Sequence, residues 1–124
     1  MKLLFLFLIS AVAYAAPCMT ATPNCTEWVA LAGGPSRSLI YRTYSLDAQN
    51  ERITRALIVV HGQGRDADNY FRTSLAAAFL AAALEDTVVV APRFASNDGQ
   101  GCRDTLAQDE ISWSCANCLR SNSN

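Results

Sequence analysis

The sequence has little of the side-chain chemistry that catalytic and metal sites commonly use. Its 124 residues include one histidine, His61, and with no HxxxH and no second CxxC they offer no zinc-ligand pattern. Lysine also occurs once, at Lys2, and ten basic against eleven acidic side chains leave a net charge of −1. That balance excludes the basic surface that nucleic acid binding requires. No apolar run reaches the roughly 20 residues of a membrane span.

What is present begins with a predicted secretory signal peptide over residues 1–15. Lys2 precedes an apolar run from Leu3 to Val12, and Ala13-Tyr14-Ala15 has the small-x-small form that signal peptidase accepts. Cleavage near Ala15/Ala16 would export the chain and leave 109 of the 124 residues, enough for one domain.

The cysteines are consistent with an oxidising compartment, where disulfides persist. The spacing of Cys18 and Cys25 suits a local disulfide, whereas Cys102 can reach either Cys115 or Cys118. Five cysteines leave one over unless chains pair. The pair Cys115 and Cys118 also has the CxxC spacing of thiol oxidoreductases, although it lies in a polar tail rather than at a helix start. Asn24-Cys25-Thr26 matches a glycosylation sequon, and a chance triplet explains it equally well.

Hydrophobic patterning predicts the elements of the mature chain. Residues 16–37 contain two prolines before a Gly33-Gly34-Pro35 break, show no sustained period, and are interpreted as an irregular N-terminal arm. Apolar and polar residues partly alternate over residues 38–46, which is typical of a strand at a sheet edge. Continuous apolar runs at 56–60 and 87–91 indicate strands covered on both faces.

A helix is predicted between the two apolar runs. Asp66 or Asp68 can cap it, and apolar residues recur at helical spacing through an alanine-rich stretch: Phe71, Leu75, Phe79, Leu80 and Leu84. Strand, helix and strand of these lengths predict a βαβ unit of a parallel sheet. The fold class expected is therefore α/β. The acidic, turn-rich segment after Asn97, with Asp104, Asp109 and Glu110, does not match a calcium loop and is interpreted as a solvated acidic loop. We predict no metal or cofactor site.

One motif suggests chemistry. His61-Gly62-Gln63-Gly64 directly follows the first apolar run, and Pro92-Arg93-Phe94 closes the second. This arrangement resembles the first half of an α/β-hydrolase, the fold of many esterases and lipases, over residues 38–114. The resemblance implies that the backbone N–H of Gln63 donates to an oxyanion, that Gly62 and Gly64 permit the turn, and that His61 supports the loop. The substrate class it implies is an ester-like small molecule or polymer.

The rest of the hydrolase machinery is missing from the chain. No serine lies in a G-x-S-x-G elbow, and no second histidine can act as the general base, so a Ser-His-Asp triad cannot be assembled. We expect a partial α/β-hydrolase fold, truncated before the nucleophile elbow and followed by a polar tail over residues 115–124. Such a truncation would leave an unpaired apolar sheet edge.

Three functional hypotheses follow. The first is that the chain is the N-terminal fragment of a secreted α/β-hydrolase whose parent activity is carboxylic ester hydrolysis, and that it is inactive alone. The second is a small secreted, disulfide-containing binding protein without catalysis. The third is a thiol oxidoreductase that uses Cys115 and Cys118.

Overall fold

A computed structural model describes residues 15–99 and 101–115 of the chain. Within these ranges the elements are a one-turn 3-10 helix at Pro23–Cys25, the strands β1 (Thr26–Ala30), β2 (Arg37–Arg42), β3 (Arg55–Ile58) and β4 (Thr87–Pro92), and the helix α1 (Ala67–Leu80) between β3 and β4. The predicted signal peptide lies almost wholly outside the described residues.

The four strands form one mixed sheet in the order β1-β2-β4-β3. β1 and β2 form an antiparallel pair, with Trp28 opposite Leu39. β2 is also antiparallel to β4, and Tyr41 lies opposite Ala91. β3 and β4 are parallel. The carboxyl ends of β3 and β4 therefore lie at the same edge of the sheet, and this is where the site described below is found.

The predicted fold class is wrong. We expected a partial α/β-hydrolase fold with a βαβ unit of a parallel sheet, but two of the three strand pairings are antiparallel, and the described residues contain one α-helix. The expected edge strand, β2, lies inside the sheet because the segment read as an irregular arm supplies β1 as its outer neighbour. Hydrophobic runs identify strands, but the direction of pairing depends on the connections between them, which periodicity does not encode.

α1 forms where the helical spacing predicted it. Asp68 lies in its first turn and pairs with Arg72 one turn later at 3.0 Å, both of which favour a helix. Asp66 is the N-cap residue but makes no side-chain capping bond. The buried face of the helix packs on β4 and β2, and Phe71 stacks on Tyr41 with ring centroids 5.7 Å apart. The resulting core contains Cys25, Phe71, Leu75, Ala78, Leu84, Val89 and Ala91.

β3 differs most from its prediction. All four of its residues are exposed, although an apolar run of this kind was expected to be covered on both faces. The helix packs on β4 and β2 rather than on β3, and β3 has β4 as its one partner in the described sheet. Ile58 is 66% exposed. An exposed apolar edge of this kind is a site where another chain can pair.

Two disulfides staple the fold, one joining Cys18 to Cys25 and the other joining Cys102 to Cys115. The first was predicted, and the second is one of the two pairings left open for Cys102. Cys118 lies outside the described residues. Disulfides of this kind are typical of extracellular or otherwise oxidising environments. Among the helices that the structure describes, none is long and apolar enough to cross a bilayer.

Candidate functional site

A cavity of about 440 Å³ lies beyond the carboxyl ends of β3 and β4. The segment after β3 contributes Val60, His61, Gly62, Gln63 and Arg65, and the segment after β4 contributes Phe94 and Ser96. Residues of the Cys102–Cys115 loop complete the wall. The size is that of a small-molecule site. The cavity thus contains most of the motif singled out from the sequence, but β3 is an edge strand of the described sheet rather than a central one.

His61 ties the two strand ends together. Its Nε2 accepts a hydrogen bond from the backbone N–H of Phe94 at 2.9 Å, so the ring proton lies on Nδ1, which donates to the carbonyl oxygen of Gly62 at 2.9 Å. Its ring also contacts that of Phe94 edge-on, with centroids 5.6 Å apart. Both imidazole nitrogens are engaged with backbone groups, which leaves neither available as a general base in this arrangement.

Gly62 and Gln63 belong to a tight turn that ends at Arg65. The Arg65 N–H donates to the Gly62 carbonyl at 3.1 Å, and Arg65, not a glycine, takes the left-handed conformation with φ 50°. A Cβ at Gly62 would lie 3.3 Å from the Tyr70 hydroxyl, so a side chain there would require that hydroxyl to shift. Among the described residues, none accepts a hydrogen bond from the Gln63 N–H. Gln63 lines the cavity, whereas Gly64 is absent from the described part of the wall.

Asp104 anchors the loop after β3 to the loop after β4. Its Oδ2 accepts from Arg65 Nε at 2.7 Å and from the Ser96 N–H at 2.8 Å, and its own N–H donates to the Ser96 carbonyl at 2.9 Å. Burial alone would raise the pKa of Asp104, but these hydrogen bonds and the charges of Arg65 and Arg93 outweigh it and lower the pKa below its usual value. The carboxylate therefore stays ionised and holds two walls of the cavity in place.

Two buried polar atoms in the cavity wall have no partner within the described parts of the chain: Ser96 Oγ and Trp113 Nε1. Ser96 is only 1% exposed. The backbone N–H and carbonyl of Ser96 both bond to Asp104. The backbone N–H of Trp113, as distinct from its indole N–H, donates to the carbonyl of Ala95 at 2.9 Å. An unsatisfied buried polar group costs free energy, so a pair of them lining one cavity marks it as the candidate binding site.

The aromatic wall of the cavity consists of Phe94 and Trp113. Their rings meet edge-on with centroids 4.7 Å apart and an interplanar angle of 76°, a favoured geometry for aromatic pairs. The Cys102–Cys115 bond holds the segment that carries Trp113 against the end of β4. The Cys115 N–H also donates to Asp98 Oδ2 at 2.6 Å.

The cluster Asp98, Cys102 and Cys115 has the proximity of a metal site, its ligand atoms lying within 4.8 Å of one another. The two sulfurs form a disulfide with each other, however. Because the thiolate is the form of cysteine that ligates metals, neither sulfur is available as a ligand while this bond is intact. The same bond weakens the oxidoreductase hypothesis, because Cys115 is paired with Cys102 rather than with Cys118.

Sequence reasoning found part of this site. It singled out His61, Gly62 and Gln63, which line the cavity. It missed Ser96, Asp104 and Trp113, which no local motif marks. Asp104 was read as part of a solvated acidic loop, and only its contacts with Arg65 and Ser96 show that it holds the site. No protein-family model, curated protein or solved structure matches the chain, so the site is interpreted from its own geometry.

Proposed function

We propose that this chain supplies the oxyanion-binding part of a secreted carboxylic ester hydrolase, and that by itself it binds esters without hydrolysing them. The carbonyl oxygen of the ester accepts a hydrogen bond from the Gln63 N–H. The single observation that carries this proposal is the turn of Gly62 to Arg65, which leaves the Gln63 amide without an acceptor in the described chain at the wall of a cavity. Backbone donors of this kind stabilise developing oxyanions.

The absence of turnover follows from the engagement of His61. A serine becomes a nucleophile when an adjacent base takes its proton, and both nitrogens of the one imidazole in the chain already bond to Gly62 and Phe94. Ser96 lines the same cavity, but no imidazole bonds to its hydroxyl within the described ranges. Bound ester is therefore held and not cleaved.

Export is the second part of the proposal. Its support is the signal-peptide pattern of residues 1–15 and the two disulfides, which favour an oxidising compartment. The full chain can be expressed in a secreting host and the protein recovered from the medium sequenced from its N-terminus. We expect that protein to begin at Ala16. Retention of the intact chain inside the cell would contradict export.

Residue-resolved titration tests ester binding. We expect the backbone amide resonance of Gln63 to shift saturably with ethyl butyrate and not with dipropyl ether, which lacks the carbonyl. The Gln108 amide, outside the cavity, serves as the internal reference. Saturation with ester that leaves the Gln63 resonance unmoved would overturn the proposal, and steady hydrolysis of p-nitrophenyl butyrate would overturn its non-catalytic part.

A second candidate function is that of a secreted binding protein with no link to ester chemistry. The observation that favours it is the unpartnered pair Ser96 Oγ and Trp113 Nε1, which calls for a ligand but not for an ester. The two candidates differ in the Gln63 amide, since only the first requires that group to meet a carbonyl oxygen.

A further inference from the structure

The cavity has a second polar feature apart from the Gln63 loop. Trp113 Nε1 can only donate a hydrogen bond, and Ser96 Oγ can donate one. Neither atom has a partner in the part of the chain that the structure describes, and Ser96 is 1% exposed. Both residues line the cavity, so a molecule that enters it can supply the missing hydrogen-bond partner.

The donor groups of the wall favour an acceptor-rich ligand. Arg65 is the one charged side chain among the described residues that line the cavity. Its Nε bonds to Asp104, whose ionised carboxylate balances its charge, and its Nη1 bonds to the Gln63 carbonyl, so the guanidinium is held in place. A carboxylate accepts up to four hydrogen bonds and donates none, so it matches a wall that carries donors and no carboxylate.

The remaining wall favours an aromatic body. Phe94 and Trp113 already meet edge-on, and Val60 and the Cys102–Cys115 sulfurs supply apolar surface. An aromatic ring can pack on such a pair in the same edge-to-face manner, and it then gains binding free energy beyond that from burying its apolar area. A saturated ring of similar size gains only the free energy of burying its apolar area.

We propose that Ser96 and Trp113 form a subsite for a small aromatic carboxylic acid, whose carboxylate accepts from Ser96 Oγ and Trp113 Nε1 and whose ring packs on Phe94 and Trp113. The subsite stands on its own geometry. One consequence rests on the proposed function: the esters bound at Gln63 are then those of aromatic acids, and the acid itself is the compound that the protein retains.

Tryptophan fluorescence gives a direct measurement. The chain has two tryptophans, and Trp28 lies on β1 against Arg37, away from the cavity, so Trp28→Phe leaves Trp113 as the reporter. We expect benzoate to change the emission of this variant saturably. Benzamide has the same shape but replaces one acceptor oxygen with an NH₂ donor and carries no charge, whereas cyclohexanecarboxylate keeps the charge but lacks the aromatic ring. Each should bind about tenfold more weakly than benzoate.

Variants assign the contacts. Ser96→Ala and Trp113→Phe each remove one donor and keep most of the packing, and we expect each to weaken benzoate binding about tenfold by calorimetry. The matched controls are Ser36→Ala and Trp28→Phe, both outside the cavity, which should bind as the parent does. Thermal melts identify any variant that fails to fold, and the comparison of ligands in the Trp28→Phe protein stands without the cavity variants.

The outcomes separate this inference from the proposed function. Benzoate binding that Ser96→Ala and Trp113→Phe weaken supports the subsite even if ethyl butyrate leaves the Gln63 amide unmoved, in which case only the ester proposal fails. Equal affinity for benzoate, benzamide and cyclohexanecarboxylate overturns the subsite. So does a loss of affinity that the control variants share, or no binding of benzoate at all.

Discussion

Nε2 of His61 accepts a hydrogen bond from the backbone N–H of Phe94, 33 residues further along the chain, at 2.9 Å. Nδ1 of the same ring bonds to the carbonyl of the next residue, Gly62. The imidazole therefore fixes the loop after β3 to the loop after β4, and through Phe94 it also contacts the aromatic wall. A residue type that usually suggests proton transfer here joins two pieces of backbone.

His61→Ala should lower the free energy of unfolding by about 1–3 kcal/mol, because the half-buried Phe94 N–H loses its acceptor. Urea denaturation measures the change. His61→Asn keeps an acceptor on a shorter side chain and should recover part of the loss. If both variants unfold at the parent's denaturant concentration, the imidazole does not hold the loops.

Asp104 should make the protein sensitive to acid. Its pKa is lower in the folded chain than its usual value of 3.8, so the folded state binds this proton less readily than the unfolded state does. The stabilisation is complete above the unfolded value and is lost as the pH falls through the lowered folded value. Asp104→Asn should therefore flatten the loss of stability as the pH falls below about 4. Asp47→Asn, on the exposed turn after β2, should leave that slope unchanged.

The two disulfides should differ in their effect on the cavity. In a Cys118→Ala background, replacing Cys102 and Cys115 by alanine opens a loop with a sequence separation of 13 and should cost about 3 kcal/mol. Replacing Cys18 and Cys25, which are separated by 7, should cost a similar amount. Only the first pair of substitutions should also reduce benzoate binding, because only that bond holds the segment of Trp113. Equal loss of binding in both would show that the effect is global.

The end of α1 contains a strained alanine. The Ala83 N–H donates to the Ala78 carbonyl and the Ala82 N–H to that of Phe79, which is the Schellman arrangement, and Ala82 has φ 51°. Glycine adopts this conformation without the Cβ penalty. Ala82→Gly should raise the free energy of unfolding by about 0.5–1 kcal/mol. Ala81→Gly, at φ −80°, is the matched control and should be neutral or destabilising.

Local patterns predicted the local elements well. The spacing of Phe71 and Leu75 indicated α1, and the apolar runs at 56–60 and 87–91 indicated β3 and β4. Sequence proximity also predicted the bond between Cys18 and Cys25. These features depend on near neighbours in the chain, and near neighbours are what hydrophobic periodicity and spacing describe.

Long-range pairing was less predictable. β1 was hidden in a segment with no sustained period, and its pairing with β2 is what places β2 inside the sheet. The burial of Ser96 and the contact between Asp104 and Arg65 likewise depend on segments that are distant in sequence. Nothing in the residues around Ser96 marks it as a group whose hydroxyl would lie unpaired in a cavity wall.

By itself the sequence determined the positions of most strands and of the helix, the local disulfide, and the motif that turns at the end of β3, since each follows from residue types within a short window. Only the tertiary structure decided that the sheet is mixed, that β3 lies exposed at its edge, that Ser96 and Trp113 line the same cavity as Gln63, and that Asp104 joins its two loops. Those features depend on which distant backbone segments exchange hydrogen bonds and which faces the helix covers, and both are settled by packing over the whole chain.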